Sequence, residues 1–139
     1  MRRATSQAEV AAALDLRERV FCGEQGVSLE ADQDGRDPEA LHVVALDRQR
    51  VVGTCRLLFS GDQARLGRMA VDAGMRGRGI GSAVLEEAER EARSAGAARV
   101  TLDSQVVATP LYERAGFQVA GSEYLDEGIP HVPMEKSLA

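Results

Sequence analysis

Leu66-Gly67-Arg68-Met69-Ala70-Val71, Asp72-Ala73-Gly74-Met75 and Arg76-Gly77-Arg78-Gly79-Ile80-Gly81-Ser82 form one continuous stretch. A strand-like run passes through a glycine-rich turn directly into a helix. Downstream, Ile80, Ala83, Val84, Ala88 and Ala92 share one helical face, while Glu86/Arg90 and Glu89/Arg93 pair across the outer one. The first N–H groups of a helix lack partners within it, and the macrodipole adds positive character there. Such a turn is an anion site, and its glycines let a phosphate approach the backbone. Arg76 and Arg78 add charge beside it. The same residues also suit a plain tight turn with two solvated arginines, and glycine content alone leaves both readings open. A dinucleotide fingerprint needs G-x-G-x-x-G, but Gly77, Gly79 and Gly81 are followed by Ser82. A P-loop needs G-K-[ST], and Gly81-Ser82 has no lysine between its members.

Upstream, Ser6-Gln7-Ala8-Glu9 reads as a capping box, and Val10, Ala11, Ala13, Leu14 and Val20 come after it at helical spacing. The first helix is expected from about Gln7 to Phe21, stopped by Gly23. Residues 23–40 read as a polar loop with room for one short helical turn. Leu41–Leu46 and Val51–Phe59 are strands joined by a turn at Asp47-Arg48-Gln49-Arg50, and Ala64–Val71 is a third. After the glycine turn the second helix ends at Gly96. Ala98–Asp103 is a strand, and Ala108–Ala115 a short helix closed by Gly116. Phe117–Ala120 and Val132–Lys136 are the last strands, separated by a loop containing Tyr124 and Gly128-Ile129-Pro130. This order predicts an α/β fold with a mixed sheet, antiparallel in its N-terminal half and with a parallel crossover at its centre.

At 139 residues, with 44% hydrophobic and 28% charged residues, the chain suits one globular domain. No apolar run approaches the ~18 residues of a membrane span. Met1-Arg2-Arg3 leads to Glu9 and Asp15 rather than to an apolar stretch, which is not a secretory leader. A cytoplasmic location is expected, and no membrane partner. Net charge is −5, and the segment between Cys22 and Ala40 also sums to −5, from Glu24, Glu30, Asp32, Asp34, Asp37 and Glu39 against Arg36. A neutral body with one acidic loop argues against a nucleic-acid partner, which needs a basic face. The loop is either a solvated turn or an attractor of a cationic partner. Glu30-x-Asp32-x-Asp34-Gly35 imitates the start of an EF-hand, but Leu41 stands where the bidentate glutamate belongs. Cys22, Cys55, His42 and His131 show no ligand spacing, so no metal is expected.

Arg76, Gly79 and Gly81 spell R-x-x-G-x-G after Met69-Ala70-Val71, and Leu111-Tyr112-Glu113-Arg114-Ala115-Gly116-Phe117 stands downstream as L-Y-x-x-x-G-F. In these ordered motifs the chain resembles the GNAT superfamily of acetyl-CoA-dependent N-acetyltransferases. Arg17-Glu18-Arg19-Val20-Phe21 with Glu24-Gln25, and Asp126-Glu127-Gly128-Ile129-Pro130-His131, are similar to its ElaA-like bacterial branch. The resemblance covers essentially the whole chain. It implies a single GNAT-type domain over residues 1–139, with helices on both faces of the sheet.

The resemblance also implies roles. Arg76, Gly77, Arg78, Gly79, Ile80, Gly81 and Ser82 would hold the pyrophosphate of acetyl-CoA. Met69, Ala70 and Val71 would bind the pantetheine through the main chain and polarise the thioester carbonyl. Where many family members carry an asparagine, this chain has Gln105, an amide on a longer arm for the pantetheine. Tyr112, a phenol with reference pKa ~10, would give its proton to the departing thiolate, its other reading being a core aromatic. Glu24 and His131 are the candidates for the base that deprotonates the amine, with ordered water as a third route. His42, in an apolar strand, reads as a core histidine. The acetyl acceptor would be a small-molecule or peptide amine, attacking directly; a route through Cys22 or Cys55 lacks an activating neighbour in sequence. Homodimers are common in the family. The rival readings are a non-enzymatic acyl-CoA sensor on the same fold and an unrelated nucleotide-binding domain.

Overall fold

The computed structural model describes residues 2–138, apart from the side chains of Glu30 and Ala31. Its elements are β1 (Arg2–Arg3), α1 (Gln7–Arg17), a π-helical turn (Glu18–Glu24), α2 (Leu29–Asp32), a 3₁₀ turn (Asp37–Glu39), β2 (Leu41–Asp47), β3 (Arg50–Ser60) and β4 (Gln63–Val71). Next come a 3₁₀ turn (Ala73–Met75), α3 (Ile80–Ser94), β5 (Arg99–Gln105), a 3₁₀ turn (Val106–Ala108), α4 (Thr109–Arg114), β6 (Gln118–Val119), β7 (Tyr124–Asp126) and β8 (Ile129–Ser137). One mixed sheet runs β1-β2-β3-β4-β5-β8-β6, with β7 also on β8. Among the described residues only β4 and β5 pair in parallel, the crossover being α3. The expected α/β architecture holds.

The sheet is covered on both faces because its strands alternate two apolar sets. Val43, Cys55, Leu57, Leu66, Val100 and Leu102 bury against Val84, Leu85, Ala88 and Ala92 of α3 and Tyr112 of α4. Val44, Val51 and Ala70 face Ala13, Leu16 and Val20 on the α1 side. At Gly53 a Cβ would lie 2.7 Å from Cγ2 of Ile80, so glycine there lets the start of α3 sit directly on β3.

Three local expectations change. The first helix does not stop at Gly23: a π turn carries it to Glu24, and the left-handed residue is Gly26, at φ +70°. The Gln25 N–H reaches back to Val20 O, and Val27 N–H to Phe21 O at 2.8 Å. One extra residue in a turn rotates the chain beyond it by about 100° around the axis, toward the gap between β4 and β5. Second, β1 and β7 are strands that residue pattern does not announce, one being two residues long and the other exposed throughout. Third, β8 starts at Ile129 rather than Val132, because it pairs with β7 through a turn at Glu127 and Gly128, both at positive φ.

The acidic stretch is also not what its count suggested. Arg17 binds Asp37 at 2.6 Å and Asp32 at 3.2 Å, and Arg56 binds Asp34 at 2.5 Å and Asp37 at 3.1 Å. Arg68 donates to the Asp32 carbonyl at 3.2 Å and lies 3.5 Å from Asp34. The side chains of Arg17 and Arg56 are 1% and 5% exposed, so these are buried pairs. Three aspartates expected either to face solvent or to attract a cation are instead neutralised from α1, β3 and β4, and they fasten the loop to the sheet. Glu30, counted in the same stretch, lies outside the described side chains. His42 is buried beside this cluster, with Nε2 donating to Asp37 O at 3.0 Å, while its buried Nδ1 has no hydrogen-bond partner among the described residues.

Candidate active site

The decisive local feature is where β4 leaves β5. The two pair only over Gln63–Arg65 and Arg99–Thr101, after which β5 continues against β8 alone. Opposite Cys55, β4 carries a bulge: Thr54 pairs with Ala70 and Arg56 with Gly67, leaving Arg68 and Met69 for one position. Arg68 takes the left-handed conformation at φ +56°. A bulge bends its strand and raises local twist. Strand β4 therefore turns away, and among the described residues its edge toward β5 has no strand partner beyond Arg65. The gap is a cavity of about 560 Å³ between the two strands.

Most of the sequence-predicted residues meet there. Met69, Ala70 and Val71 form one wall; Gln105 and Tyr112 lie on the β5 and α4 side; Glu24, Arg76 and His131 stand around it. A second cavity, of about 200 Å³, lies at the start of α3 among Arg76, Gly77, Gly79, Ile80, Gly81 and Ser82. Arg78 is exposed and lines neither. Val71, Arg76 and Leu111 line both cavities, so the cavity at the glycine turn adjoins the strand gap.

The turn fits a phosphate-bearing ligand on its own geometry. Gly79 caps α3 at φ +76° with no side-chain bond, and the first helical bond is Ala83 N–H to Gly79 O at 3.1 Å. The preceding amides of Ile80, Gly81 and Ser82 are therefore the unpartnered ones of a helix start. A Cβ on Gly81 would meet Leu111 at 3.6 Å and Val71 at 3.9 Å, ordinary contacts that the fold itself tolerates.

Tyr112 is 6% exposed and packs edge-on against Phe117, ring centres 5.9 Å apart. Burial, with a smaller contribution from nearby Cys55, pushes its phenol above the ordinary range, which keeps the proton on oxygen. It is thus both a core aromatic and a cavity wall. Cys55 is fully buried, and burial pushes its thiol up to about 12. Cys22 is half-buried in the π turn, its thiol raised by burial and by Asp32 and Glu18. Neither sulfur is an activated thiolate.

The base candidates differ in their partners. His131 stacks on Tyr124 and has Nδ1 2.7 Å from Ile129 O. A carbonyl only accepts, so Nδ1 carries the hydrogen, and in the neutral ring Nε2 is left as a proton acceptor. Glu24 is ion-paired, its Oε1 2.8 Å from Arg76 Nη1. Gln105 exchanges side-chain hydrogen bonds with Gln25, at 2.8 and 3.3 Å.

Several lining residues escaped the sequence reading. Phe21, Gln25 and Val27 come from the π turn and its exit, and Tyr124, Asp126 and Glu127 from β7 and its turn. Phe21, Gln25, Asp126 and Glu127 fall in the stretches similar to the ElaA-like branch, but that likeness carries no role for them, and nothing local marks Val27 or Tyr124 as cavity lining. Arg114 had a signal: it lies inside the L-Y-x-x-x-G-F motif, in the last turn of α4, and lines the glycine-turn cavity. Among the described residues no group of three His, Cys, Asp or Glu could hold a metal, and no helix is long and apolar enough to cross a membrane.

Comparison with known proteins agrees with this geometry. A profile of the acetyltransferase (GNAT) domain matches residues 4–138. YjcF of Bacillus subtilis, an uncharacterised N-acetyltransferase, is 33% identical over 134 residues, 96% of each chain. The crystal structure of Escherichia coli ElaA superposes with a TM-score of 0.86 at 26% identity, covering 96% of this chain and 93% of that one. An acyl-CoA N-acyltransferase from Pseudomonas aeruginosa gives the same TM-score and coverage at 29% identity. The strand gap, the glycine turn beside it and a domain match over residues 4–138 lead to one conclusion: the chain belongs to the GNAT family of acetyl-CoA-dependent N-acetyltransferases.

Proposed function

We propose that this chain, as one catalytic domain, moves the acetyl group of acetyl-CoA to a primary amine of a small molecule or peptide by direct attack. The observation that carries the reading is the adjacency of the two cavities, which share Val71, Arg76 and Leu111 as lining. A ligand anchored by phosphate at the start of α3 thereby reaches Tyr112. When bound, acetyl-CoA supplies the activated acetyl group. The amides of Ile80, Gly81 and Ser82, with Gly77 and Gly79 giving close access, hold the pyrophosphate, and Arg76, Arg78 and Arg114 supply positive charge around it. The freed edge of β4 at Met69–Val71 lies along the pantetheine and presents main-chain groups toward the thioester carbonyl. Gln105 stands at the cavity's rim for the pantetheine amide. Tyr112 holds the proton destined for the departing sulfur. His131 Nε2 is the favoured base for the incoming amine, and Glu24 is the second candidate. The unactivated thiols of Cys22 and Cys55 support direct attack over a thiol-bound route. We place the protein in the cytoplasm, a reading its free cysteines support.

Thiol release from acetyl-CoA across a panel of amines tests this reading, and turnover with at least one amine is expected. Tyr112→Phe should lower kcat about 100-fold while CoA affinity stays near wild type. Acetyl-CoA should raise Tm, since a ligand at a hundred times Kd stabilises by about 2.7 kcal/mol. Gly81→Ala should abolish that rise. It is a cleaner change than Gly79→Ala, whose positive φ strains any side chain whatever the ligand does. A Tm rise without turnover on any amine would favour the binding-module reading.

A further inference from the structure

Among the described residues, Arg76 is the one arginine that lines both cavities. Its side chain folds back onto the last residue of β4, with Nε donating to Val71 O at 3.1 Å, and reaches across the gap to Glu24 Oε1 at 2.8 Å. It therefore straps the π turn to the exit of β4, at the junction that a ligand spanning the two cavities has to pass. Both partners are substantially exposed, Arg76 by 47% and Glu24 by 38%. Exposed pairs of this kind contribute little. A pyrophosphate on the free amides of α3 is a stronger acceptor for a guanidinium than one solvated carboxylate, because both of its phosphates are charged and it sits at the positive end of a helix.

We propose that Glu24 and the CoA pyrophosphate compete for Arg76, so that filling the glycine turn releases the Glu24 carboxylate into the acceptor end of the cavity. This rests on the acetyl-transfer reading and adds an order to it. Before CoA binds, Glu24 is neutralised and the strap crosses the gap. Afterwards, Arg76 faces the phosphates and Glu24 is a bare anion beside the position where the amine arrives as an ammonium ion. Glu24 is then a positioning residue for the cationic acceptor, available only once the acetyl donor is in place. By linkage the coupling is reciprocal, and an acceptor that engages Glu24 tightens CoA.

The experiment is a double-mutant cycle on the affinity for free coenzyme A, measured by calorimetry with wild type, Glu24→Gln, Arg76→Gln and the double variant. Because the pair is exposed, all four should fold, which a thermal scan checks. Glu24→Gln removes the competitor and should tighten CoA about two- to five-fold, the range of an exposed ion pair. Arg76→Gln should weaken CoA, and adding Glu24→Gln to it should change nothing further. With an amine found in the thiol-release panel, Glu24→Gln should lower KM for acetyl-CoA and raise KM for the amine, an opposed movement that a merely structural role does not give. Unchanged or weaker CoA binding in Glu24→Gln overturns the exchange. So does equal tightening with and without Arg76, which would mean plain repulsion between Glu24 and the phosphates. CoA binding by wild type with either of those results leaves the acetyl-transfer reading standing; no CoA binding by wild type removes both.

Discussion

The two ends of the segment between α1 and β2 are fastened in opposite ways. Asp32, Asp34 and Asp37 are clamped by Arg17, Arg56 and Arg68, and the first two arginines are almost wholly buried. Beyond their backbone bonds to the π turn, residues 24–28 are tied across the gap by exposed side-chain contacts: Glu24 to Arg76, Gln25 to Gln105, and Ser28 to Glu127 at 3.2 Å. Removing one member of a buried charge pair leaves the other desolvated and costs about 3–5 kcal/mol, whereas an exposed pair contributes about 0.2–1 kcal/mol. The first end fixes where the cavity wall stands. The second ties that wall to each opposing element, the exits of β4, β5 and β7, by bonds weak enough to be exchanged for ligand contacts.

Breaking the strong end should give the largest effect. Arg17→Met leaves Asp32 and Asp37 short of a partner inside the protein, and urea unfolding should show a loss of about 3–5 kcal/mol. A loss below about 1 kcal/mol would mean that Arg56 and Arg68 hold the loop unaided, and the contrast between the two ends would collapse.

Acid should reveal the same end more gently. The Arg56 hydrogen bond, against some burial, holds the Asp34 carboxyl well below the usual carboxylate range. Burial pushes Asp37 up, but hydrogen bonds and charge from Arg17 and Arg56 outweigh it and leave it lowered. A carboxylate depressed in the folded state contributes its full stability above the unfolded value, about 3.9 for Asp, and loses it as pH falls from there toward the folded value. The urea midpoint should accordingly be flat near neutrality and drop below about pH 4. Asp34→Asn should make the drop shallower. An unchanged acid profile in that variant would assign the loss to other carboxylates.

Changes at the weak end should be the smallest. Gln25→Ala and Ser28→Ala should each move unfolding free energy by no more than about 0.5 kcal/mol. Their effect belongs in the KM of the amine, because Gln25 lines the cavity and Ser28 steadies the β7–β8 turn that does. Destabilisation as large as that of Arg17→Met would show the two ends to be one cooperative unit.

The reach of sequence reading divides along the same line. Helices α1 and α3, strands β2 to β5 and the glycine turn were legible because apolar period and capping act over a few residues. The π turn was not, since it lies at the end of its helix, where too few residues follow for a shift in apolar spacing to show, and Gly23 offered a false stop. The −5 of the acidic loop suits a solvated turn or an attractor of a cation, and the structure makes most of it neither. Its compensating charges sit at positions 17, 56 and 68, far away in the chain, and a charge count has no access to them. Tyr112 was singled out by its motif, and the structure adds burial that holds the phenolic proton.

By itself the sequence determined the order of elements, the anion-accepting start of α3 and the family motifs at Arg76–Gly81 and Leu111–Phe117. Each of these is written in residues a few positions apart, where backbone preference and steric access decide. Tertiary structure alone decided that β4 parts from β5, that Arg68 and Met69 share one register position, that Glu24 meets Arg76 and that His131 Nδ1 donates to the Ile129 carbonyl. Those outcomes depend on strand register and on which distant side chains pack into contact. The free energy that settles them comes from pairing and burial across the sheet, which no local stretch of the chain contains.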